Sequence, residues 1–128
     1  MATPLHLPRP TEAELEMLRV LWTHGPLTVR EIHEALSEKE TGYTTTLKIL
    51  QKMTEKGLVR RDETSRSHVY HPVLEAGQTQ RQLVRELMQR AFGGSAGQLV
   101  LSALSEKKAT AAELSEIRRL LDEMERPA

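Results

Sequence analysis

The chain has 128 residues and a formal net charge of zero, with 18 Lys and Arg against 18 Asp and Glu. A chain of this length supports one domain with a real core but not two independent domains. Aromatic residues make up only 3% of it, so a surface that stacks single-stranded bases is not expected. The absence of cysteine excludes disulfides, zinc ribbons and thiolate copper sites. Without a membrane-length apolar run or a signal-peptide pattern, we expect a cytoplasmic protein with no direct membrane insertion.

Capping boxes predict where the first two helices begin. Residues 1–10 hold three prolines and no hydrophobic period, which predicts a flexible arm. A Thr-x-x-Glu box beginning at Thr11 then opens a helix that runs to about His24, before a Gly-Pro stop. A second box, beginning at Thr28, opens another helix, whose apolar stripe is Val29, Ile32 and Leu36.

The hydrophobic period changes in the middle of the chain. A polar loop at 37–42 precedes a third helix, which is predicted from residue 43 or 44 to residue 56 and ends at Gly57. Two short strands at 58–62 and 68–72 follow, joined by a polar tip. Three helices and a hairpin in this order are typical of the winged helix-turn-helix, in which the second helix of the motif enters the major groove of DNA.

The last third of the chain is predicted to be helical, with segments at about 76–92 and 95–105 and a final helix capped at Thr110. The predicted fold is therefore mostly α with a small β-hairpin wing. We divide it into the flexible arm, a winged helix-turn-helix DNA-binding domain at 11–74 and a helical dimerisation region at 75–128.

The charge distribution favours DNA binding although the net charge does not. Residues 42–72 hold six basic side chains against three acidic ones. On the third helix, one face is apolar and expected to be buried: Thr46, Ile49, Leu50 and Met53. Its opposite face and the hairpin tip carry the expected DNA-contacting residues, which are Thr44, Thr45, Lys48, Gln51, Lys52, Arg66 and Ser67.

Some charges near this surface are ambiguous. Arg60 and Arg61 lie at the base of the predicted wing, where DNA contact and simple solvation are equally good interpretations. Glu55 would repel phosphate if it faced the duplex, so we expect it to lie beyond the groove. The threonine run itself has the alternative interpretation of a weak helix start next to solvated lysines.

Dimerisation is predicted from the apolar surface of the C-terminal helices. Residues 99–104 form a segment that is apolar nearly all round, which a three-helix tail could hardly bury alone. A second copy is the simplest cover, and packing onto the winged helix is the alternative. The expected dimerisation residues are Leu83, Leu87, Leu99, Val100, Leu101, Leu104, Leu114, Ile117 and Leu121. A two-fold dimer predicts a two-fold operator, with half-sites about one or two helical turns apart.

Two other classes of function remain as alternatives to a DNA-binding regulator. One is a winged helix that serves as a protein-interaction module without DNA binding. The other is a metal-responsive regulator with His and carboxylate ligands, although His68 and His71 fall on opposite sides of a strand and form no obvious chelate. No hydrolase, P-loop or metalloprotease motif is present, so we expect no enzyme activity, no cofactor and no metal.

Four segments carry a family resemblance: TEAELEMLRVLW, LTVREIHEALSEK, GYTTTLKILQKMTEKGLVRRD and SHVYHPV. In this order and spacing they closely resemble the penicillinase repressor family (BlaI/MecI/CopY), over about residues 11–125. The resemblance implies a homodimeric repressor with a winged helix on a palindromic operator and three C-terminal helices at the dimer interface. It also implies that the operator-contacting helix positions are Thr44, Thr45 and Lys48, with Lys52 nearby and Arg66 in the wing.

The chain departs from two branches of that family. In the antibiotic-sensing branch, a membrane-bound sensor leads to cleavage of an Asn-Phe bond in the fifth helix. Here Ser102 and Ala103 stand at that place, so they are only a candidate cleavage region and a membrane sensor-protease partner stays open. The copper-responsive branch uses C-terminal cysteines, which this chain lacks. The operator, the regulated genes and the releasing signal are not revealed by the sequence.

Overall fold

A computed structural model describes residues 8–36 and 42–127. The predicted arm therefore falls largely outside the described residues, as does the polar loop except for Gly42. The elements run in the order α1 (Glu12–His24), β1 (Leu27–Thr28), α2 (Val29–Ala35), α3 (Tyr43–Lys56), β2 (Val59–Asp62), β3 (Val69–Pro72), α4 (Ala76–Ala91), α5 (Ala96–Glu106) and α6 (Ala111–Glu125). The predicted fold class, mostly helical with a small hairpin, is confirmed.

The predicted capping boxes form at the starts of three helices. At α1, the Thr11 hydroxyl accepts a hydrogen bond from the Glu14 N–H at 3.2 Å, and the Glu14 carboxylate accepts one from the Thr11 N–H at 2.9 Å. The same reciprocal pair opens α2 at Thr28 and α6 at Thr110. Each box satisfies two amide groups that a helix start leaves without an internal partner.

The predicted end of α3 at Gly57 is also confirmed. Gly57 adopts the left-handed conformation, with φ of 82° and ψ of 17°, and its N–H donates back to the Met53 carbonyl. This backbone conformation favours glycine because a Cβ would be strained there. The chain thereby leaves the helix and enters β2 within two residues.

The three strands form one antiparallel sheet in the order β1-β3-β2. The hairpin strands pair with Val59 opposite Pro72 and Arg61 opposite Tyr70, and each strand begins one residue later than the sequence predicts. β1 was not predicted, because two residues carry no readable period. Its Leu27 pairs with Tyr70, which ties the segment between α1 and α2 to the wing.

A hydrophobic core joins the first three helices to the wing. Its members are aliphatic apart from one tyrosine, as the low aromatic content requires. They are Met17, Leu18, Leu21, Val29, Ile32, Leu36, Leu50, Met53, Leu58, Val59 and Tyr70. On the predicted inner face of α3, Thr46, Leu50 and Met53 are fully buried and Ile49 is partly buried against the core.

The chain divides into two compact units, residues 1–83 and 84–128, and α4 begins in the first and ends in the second. In the first unit, the Trp22 indole N–H donates to the Leu74 carbonyl at 2.9 Å, which holds the chain after β3 against α1. None of the helices within residues 8–36 and 42–127 is both long and apolar enough to cross a membrane.

The described residues of the second unit form no core of their own. α5 and α6 contain no buried residue, and the apolar side chains on them are exposed or half-buried. Leu101 is 63% exposed and Leu121 is 52% exposed. Of the other residues predicted for dimerisation, Leu87, Val100 and Leu104 are exposed, and those that are half-buried are Leu83, Leu99, Leu114 and Ile117.

Two polar contacts hold α3 against its neighbours. Near its end, Lys56 Nζ lies 2.6 Å from the carboxylate of Glu14 in α1. Glu14 is buried, with only 4% of the residue exposed. Near its start, the buried hydroxyl of Thr46 lies 2.8 Å from Nδ1 of His33 in α2. Burial raises the pKa of Glu14, but the hydrogen bonds from Lys56 and Thr11 outweigh it and hold that pKa below its ordinary value of 4.5.

We expect Glu14→Gln to lower the free energy of unfolding by about 1 kcal/mol at neutral pH, because it removes a hydrogen bond between charged groups that solvent screens in part. A depressed carboxyl pKa contributes stability above about pH 4.5 and loses it as the pH falls below that value. Urea unfolding from neutral to acidic pH should therefore show the gap between wild type and variant closing on acidification. Glu12→Gln, which removes an exposed carboxylate of the same helix turn, is the control. A gap that widens in acid contradicts the assignment.

Thr46→Val is expected to lower the free energy of unfolding by about 1–2 kcal/mol, because it leaves the partner nitrogen of His33 without its hydrogen bond. Thr45→Val makes the same chemical change one residue earlier on the exposed face, and we expect it to change stability by less than about 0.5 kcal/mol. Equal losses in the two variants, measured by urea unfolding, would rule out a role for the hydrogen bond.

Candidate nucleic-acid interface

The outward face of α3 is polar and open along its length. All five helix residues predicted to contact DNA are exposed, namely Thr44, Thr45, Lys48, Gln51 and Lys52. Within the part of the chain that the structure describes, neither lysine is engaged in an ion pair. This face therefore presents hydroxyl, amide and ammonium groups to solvent while the opposite face is held in the core.

The start of α3 is unlike the starts of α1, α2 and α6. Its N-cap is Gly42, which makes no side-chain cap, and its first turn contains no acidic residue. The amide groups of a helix start carry partial positive charge and favour an anion. The threonines of the outward face thus lie beside backbone donors that are suited to a phosphate.

Glu55 is exposed near the opposite end of the same helix. It lies eleven residues after Thr44, which corresponds to about 16 Å along a helix axis. Lys56, which contributes to the basic count of this segment, is held by Glu14 and by the Arg9 carbonyl at 3.2 Å. The cationic character of α3 is therefore concentrated at Lys48 and Lys52.

Local hydrogen bonds shape the tip of the hairpin. The Asp62 carboxylate accepts from the Thr64 N–H at 2.9 Å, and this bond holds the pKa of Asp62 below its ordinary value. The Ser65 hydroxyl donates to the Ser67 carbonyl at 2.7 Å. Arg66, between these two serines, is exposed. The tip is thus a defined turn that carries one cation.

The two arginines at the base of the wing differ in their surroundings. Arg61 donates from Nε to the Glu63 carboxylate at 2.6 Å and forms an ion pair with it, so much of its charge is compensated. Arg60 is exposed and forms no ion pair with the residues that the structure describes, although its charge helps to lower the pKa of Asp62. Of the pair, Arg60 therefore carries the less compensated charge.

A cleft of about 570 Å³ lies between the start of α2, the outward side of α3 and the hairpin. Three arginines line it, Arg30, Arg61 and Arg66, and none of the described residues that line it is acidic. Gln51 and Ser67, both predicted DNA-contacting residues, line it as well. The structure thus brings part of the predicted set into one concave surface, whereas Thr44, Thr45, Lys48 and Lys52 lie on the exposed helix face outside the cleft lining.

Arg30 and Tyr43 also line this cleft and were not among the predicted site residues. The Arg30 guanidinium carbon lies 5.6 Å from the centroid of the Tyr43 ring. A sequence signal existed for Arg30, since a cation near a capped helix start is unfavourable for the helix dipole and needs another reason to be there. The sequence marks Tyr43 as a helix start but not as a surface residue.

No group of three His, Asp or Glu side chains that could hold a metal ion occurs in residues 8–36 and 42–127. The candidate cleavage residues Ser102 and Ala103 lie in the middle of α5 and are exposed. Their backbone is helical, so a protease that binds extended chains would need the helix to unwind first.

The comparisons with known proteins agree with the resemblance found in the sequence. The family model for penicillinase repressors matches residues 10–123. The chain is 25% identical over 118 residues to the penicillinase repressor of Bacillus licheniformis, covering 91% of this chain and 92% of that protein. It is 32% identical over 121 residues to the transcriptional regulator BlaI of Mycobacterium tuberculosis, covering 93% and 87%.

Two solved structures are also similar to part of the chain. The solution structure of the DNA-binding domain of the repressor BlaI is 26% identical with a TM-score of 0.49, covering 56% of this chain and 88% of that one. The Bacillus licheniformis BlaI monomeric form in complex with the blaP half-operator is 27% identical with a TM-score of 0.48, covering 56% and 89%. Because the family model spans most of the chain and a curated relative shares nearly a third of its residues, the chain belongs to the penicillinase repressor family of transcriptional regulators.

Proposed function

We propose that the chain is a transcriptional repressor that binds duplex operator DNA with the outward face of α3 in the major groove. The hairpin then lies beside the groove on the phosphate backbone, as in winged helix-turn-helix proteins generally. The observation that carries this proposal is that α3 has two chemically different faces. One side is buried in the core, and the other is an exposed row of hydroxyl, amide and ammonium groups.

The groups on α3 divide by the DNA atoms they suit. Thr44 and Thr45, next to the uncapped helix start, are suited to phosphate oxygens and to the first base edges. Lys48 and Gln51, about one and two turns after Thr44, offer the donors that read guanine and adenine in the major groove. Lys52 is placed to reach the adjacent backbone. Sequence discrimination is therefore assigned to the middle of the helix.

The wing supplies the second point of attachment. Arg66 and Ser67 line the cleft, and a phosphate there would meet Arg66 without a competing carboxylate among the described residues of the lining. Because the whole chain is neutral, attraction to DNA depends on these local cations. Binding should then weaken steeply with salt, as counterions return to the phosphates.

A protein-interaction module without DNA binding is the competing function, and the chemistry of this surface disfavours it. Interfaces that bind protein partners concentrate aromatic and apolar residues in their centre and are depleted in lysine. The outward face of α3 has the opposite composition, with two lysines, two threonines and a glutamine. Tyr43 is the large apolar side chain exposed at its edge.

We further propose that the repressor is a homodimer joined through residues 84–128. α5 and α6 bury none of their residues, although Leu101, Leu120 and Leu121 are each more than half exposed. Exposed apolar surface of this kind marks an interaction site, and two copies of one surface pair most simply about a two-fold axis. Such a dimer would bind a palindromic operator with half-sites about one or two helical turns apart.

Release of the operator is proposed to follow from separation of the two copies. A dimer holds both half-sites at once, so each monomer alone would bind far more weakly. Ser102 and Ala103 lie in the helix that carries Val100, Leu101 and Leu104, and a cut there would divide the proposed interface. A membrane sensor-protease system that cleaved this pair would act by that route.

Lys48→Ala and Arg66→Ala are each expected to weaken operator binding about ten-fold, which is the usual cost of losing one base or phosphate contact. The probe is a duplex selected by the wild-type chain from random sequences, and binding is measured by fluorescence anisotropy. A variant that loses a phosphate contact should also show a salt slope smaller by about one. Arg19→Ala, which removes an exposed arginine of α1, is the control and should bind as wild type does. Unchanged binding by both test variants would refute this surface as the DNA reader.

Leu101→Glu is expected to convert the dimer to a monomer, because it places a charge where an apolar side chain meets the partner. Sedimentation equilibrium measures the mass. Binding to a full operator should fall while binding to a half-site stays the same. Val73→Glu, at an exposed apolar position of the first unit, is the matched control and should leave the mass unchanged. A Leu101→Glu protein with the wild-type mass would exclude this interface.

A further inference from the structure

The side chain of Tyr43 is held at its ring and open at its tip. The Arg30 guanidinium lies over the ring at 5.6 Å from its centroid, and the His33 ring meets it edge-on at 5.9 Å with an interplanar angle of 79°. Both contacts are of the attractive kind for an aromatic ring. Tyr43 is nevertheless 42% exposed, and its hydroxyl makes no hydrogen bond to any residue that the structure describes.

Tyr43 belongs to a surface that favours an anion. The residue lines the cleft that also holds Arg30, Arg61 and Arg66, and no acidic side chain is found among the described residues of that lining. Tyr43 is moreover the first residue of α3, directly after the uncapped Gly42. A hydroxyl donor at a helix start, in a cleft that Arg30 and Arg66 also line, is well suited to a phosphate oxygen.

We propose that the Tyr43 hydroxyl donates to a phosphate of the DNA backbone and that Arg30 and His33 are positioning residues that hold its ring. This inference rests on the proposed function and adds a contact and its support to that site. A tyrosine whose ring is already fixed loses little rotamer freedom when it binds, so its hydrogen bond contributes more to affinity.

His33 gives the support a second role. Its Nδ1 is bonded to the buried hydroxyl of Thr46, while its ring contacts Tyr43. One imidazole therefore sets the place of the first turn of α3 and of the aromatic ring on that turn. The α2 helix acts on DNA binding through Tyr43 even where its own side chains do not touch the duplex.

Two other roles of Arg30 must be distinguished from the proposed one, in which it holds the Tyr43 ring in place. It could bind a phosphate directly, or it could serve only to pack α2 against α3. Neither role needs the hydroxyl of Tyr43. Tyr43→Phe removes that hydroxyl and keeps the ring on which Arg30 and His33 act, so a double-mutant cycle of Arg30→Met with Tyr43→Phe distinguishes the three roles.

The cycle is measured on the full chain with the selected duplex, by fluorescence anisotropy over a range of salt concentrations. Tyr43→Phe should weaken binding about ten-fold or more, as expected for a lost hydrogen bond to a charged group. Arg30→Met should weaken it about two- to five-fold, the size of an exposed cation–π contact. In the Tyr43→Phe background, Arg30→Met should have almost no further effect.

The proposal would be overturned if Tyr43→Phe bound the selected duplex as tightly as the wild type. It would also be overturned if Arg30→Met lowered the affinity equally in the wild-type and Tyr43→Phe backgrounds. A salt slope reduced by about one in Arg30→Met would assign that arginine a phosphate contact of its own and would overturn its role as a positioning residue. Arg19→Met is the control for loss of one positive charge. If Arg30→Met does not fold, as judged by urea unfolding, His33→Gln replaces it in the same cycle, since the amide keeps a partner for Thr46 but removes the ring.

Failure of the proposed function gives a different result. If the wild-type chain selects no duplex and binds none at low salt, the chain is not a DNA-binding repressor and the contact assigned to Tyr43 falls with it. If the wild type binds and Lys48→Ala weakens binding while Tyr43→Phe does not, the proposed function stands and only the inference about Tyr43 is lost.

Discussion

The organisation of the first unit depends on holding α3 by one side only. Thr46, Leu50 and Met53 are fully buried, and the residues between them on the other side are exposed. Because successive residues of a helix are separated by about 100°, rotation by one residue would bring a lysine toward the core and an aliphatic side chain toward solvent. The cost of burying an unpaired charge therefore fixes which groups face outward.

Apolar burial and polar contacts make different contributions to the position of α3. The aliphatic core supplies most of the stabilisation, but by itself it specifies direction poorly because the hydrophobic effect is not directional. The Lys56–Glu14 ion pair and the Thr46–His33 hydrogen bond tie opposite ends of α3 to α1 and to α2. Both polar contacts include a nearly inaccessible group, so an alternative packing would leave that group unsatisfied.

The two units differ in how far they bury their own apolar residues. The first encloses its apolar residues, whereas α5 and α6 enclose none of theirs and leave Leu101 and Leu121 more than half exposed. Helices whose described residues form no core gain their stability from whatever covers their apolar side chains. If the cover is a second copy, folding of this unit and pairing of the repressor are one process, and the symmetry of the pair passes to the operator.

The sequence by itself determined what depends on neighbours within about one helical turn: the capping boxes at Thr11, Thr28 and Thr110, the stop at Gly57 and the two faces of α3. These features are readable because their causes are local hydrogen bonds and the helical period. Only the tertiary structure decided the pairing of β1 with β3, the partnership of Glu14 with Lys56 and the contact of Arg30 with Tyr43. Each of these joins separate elements, so it follows from how the helices pack and not from any local pattern.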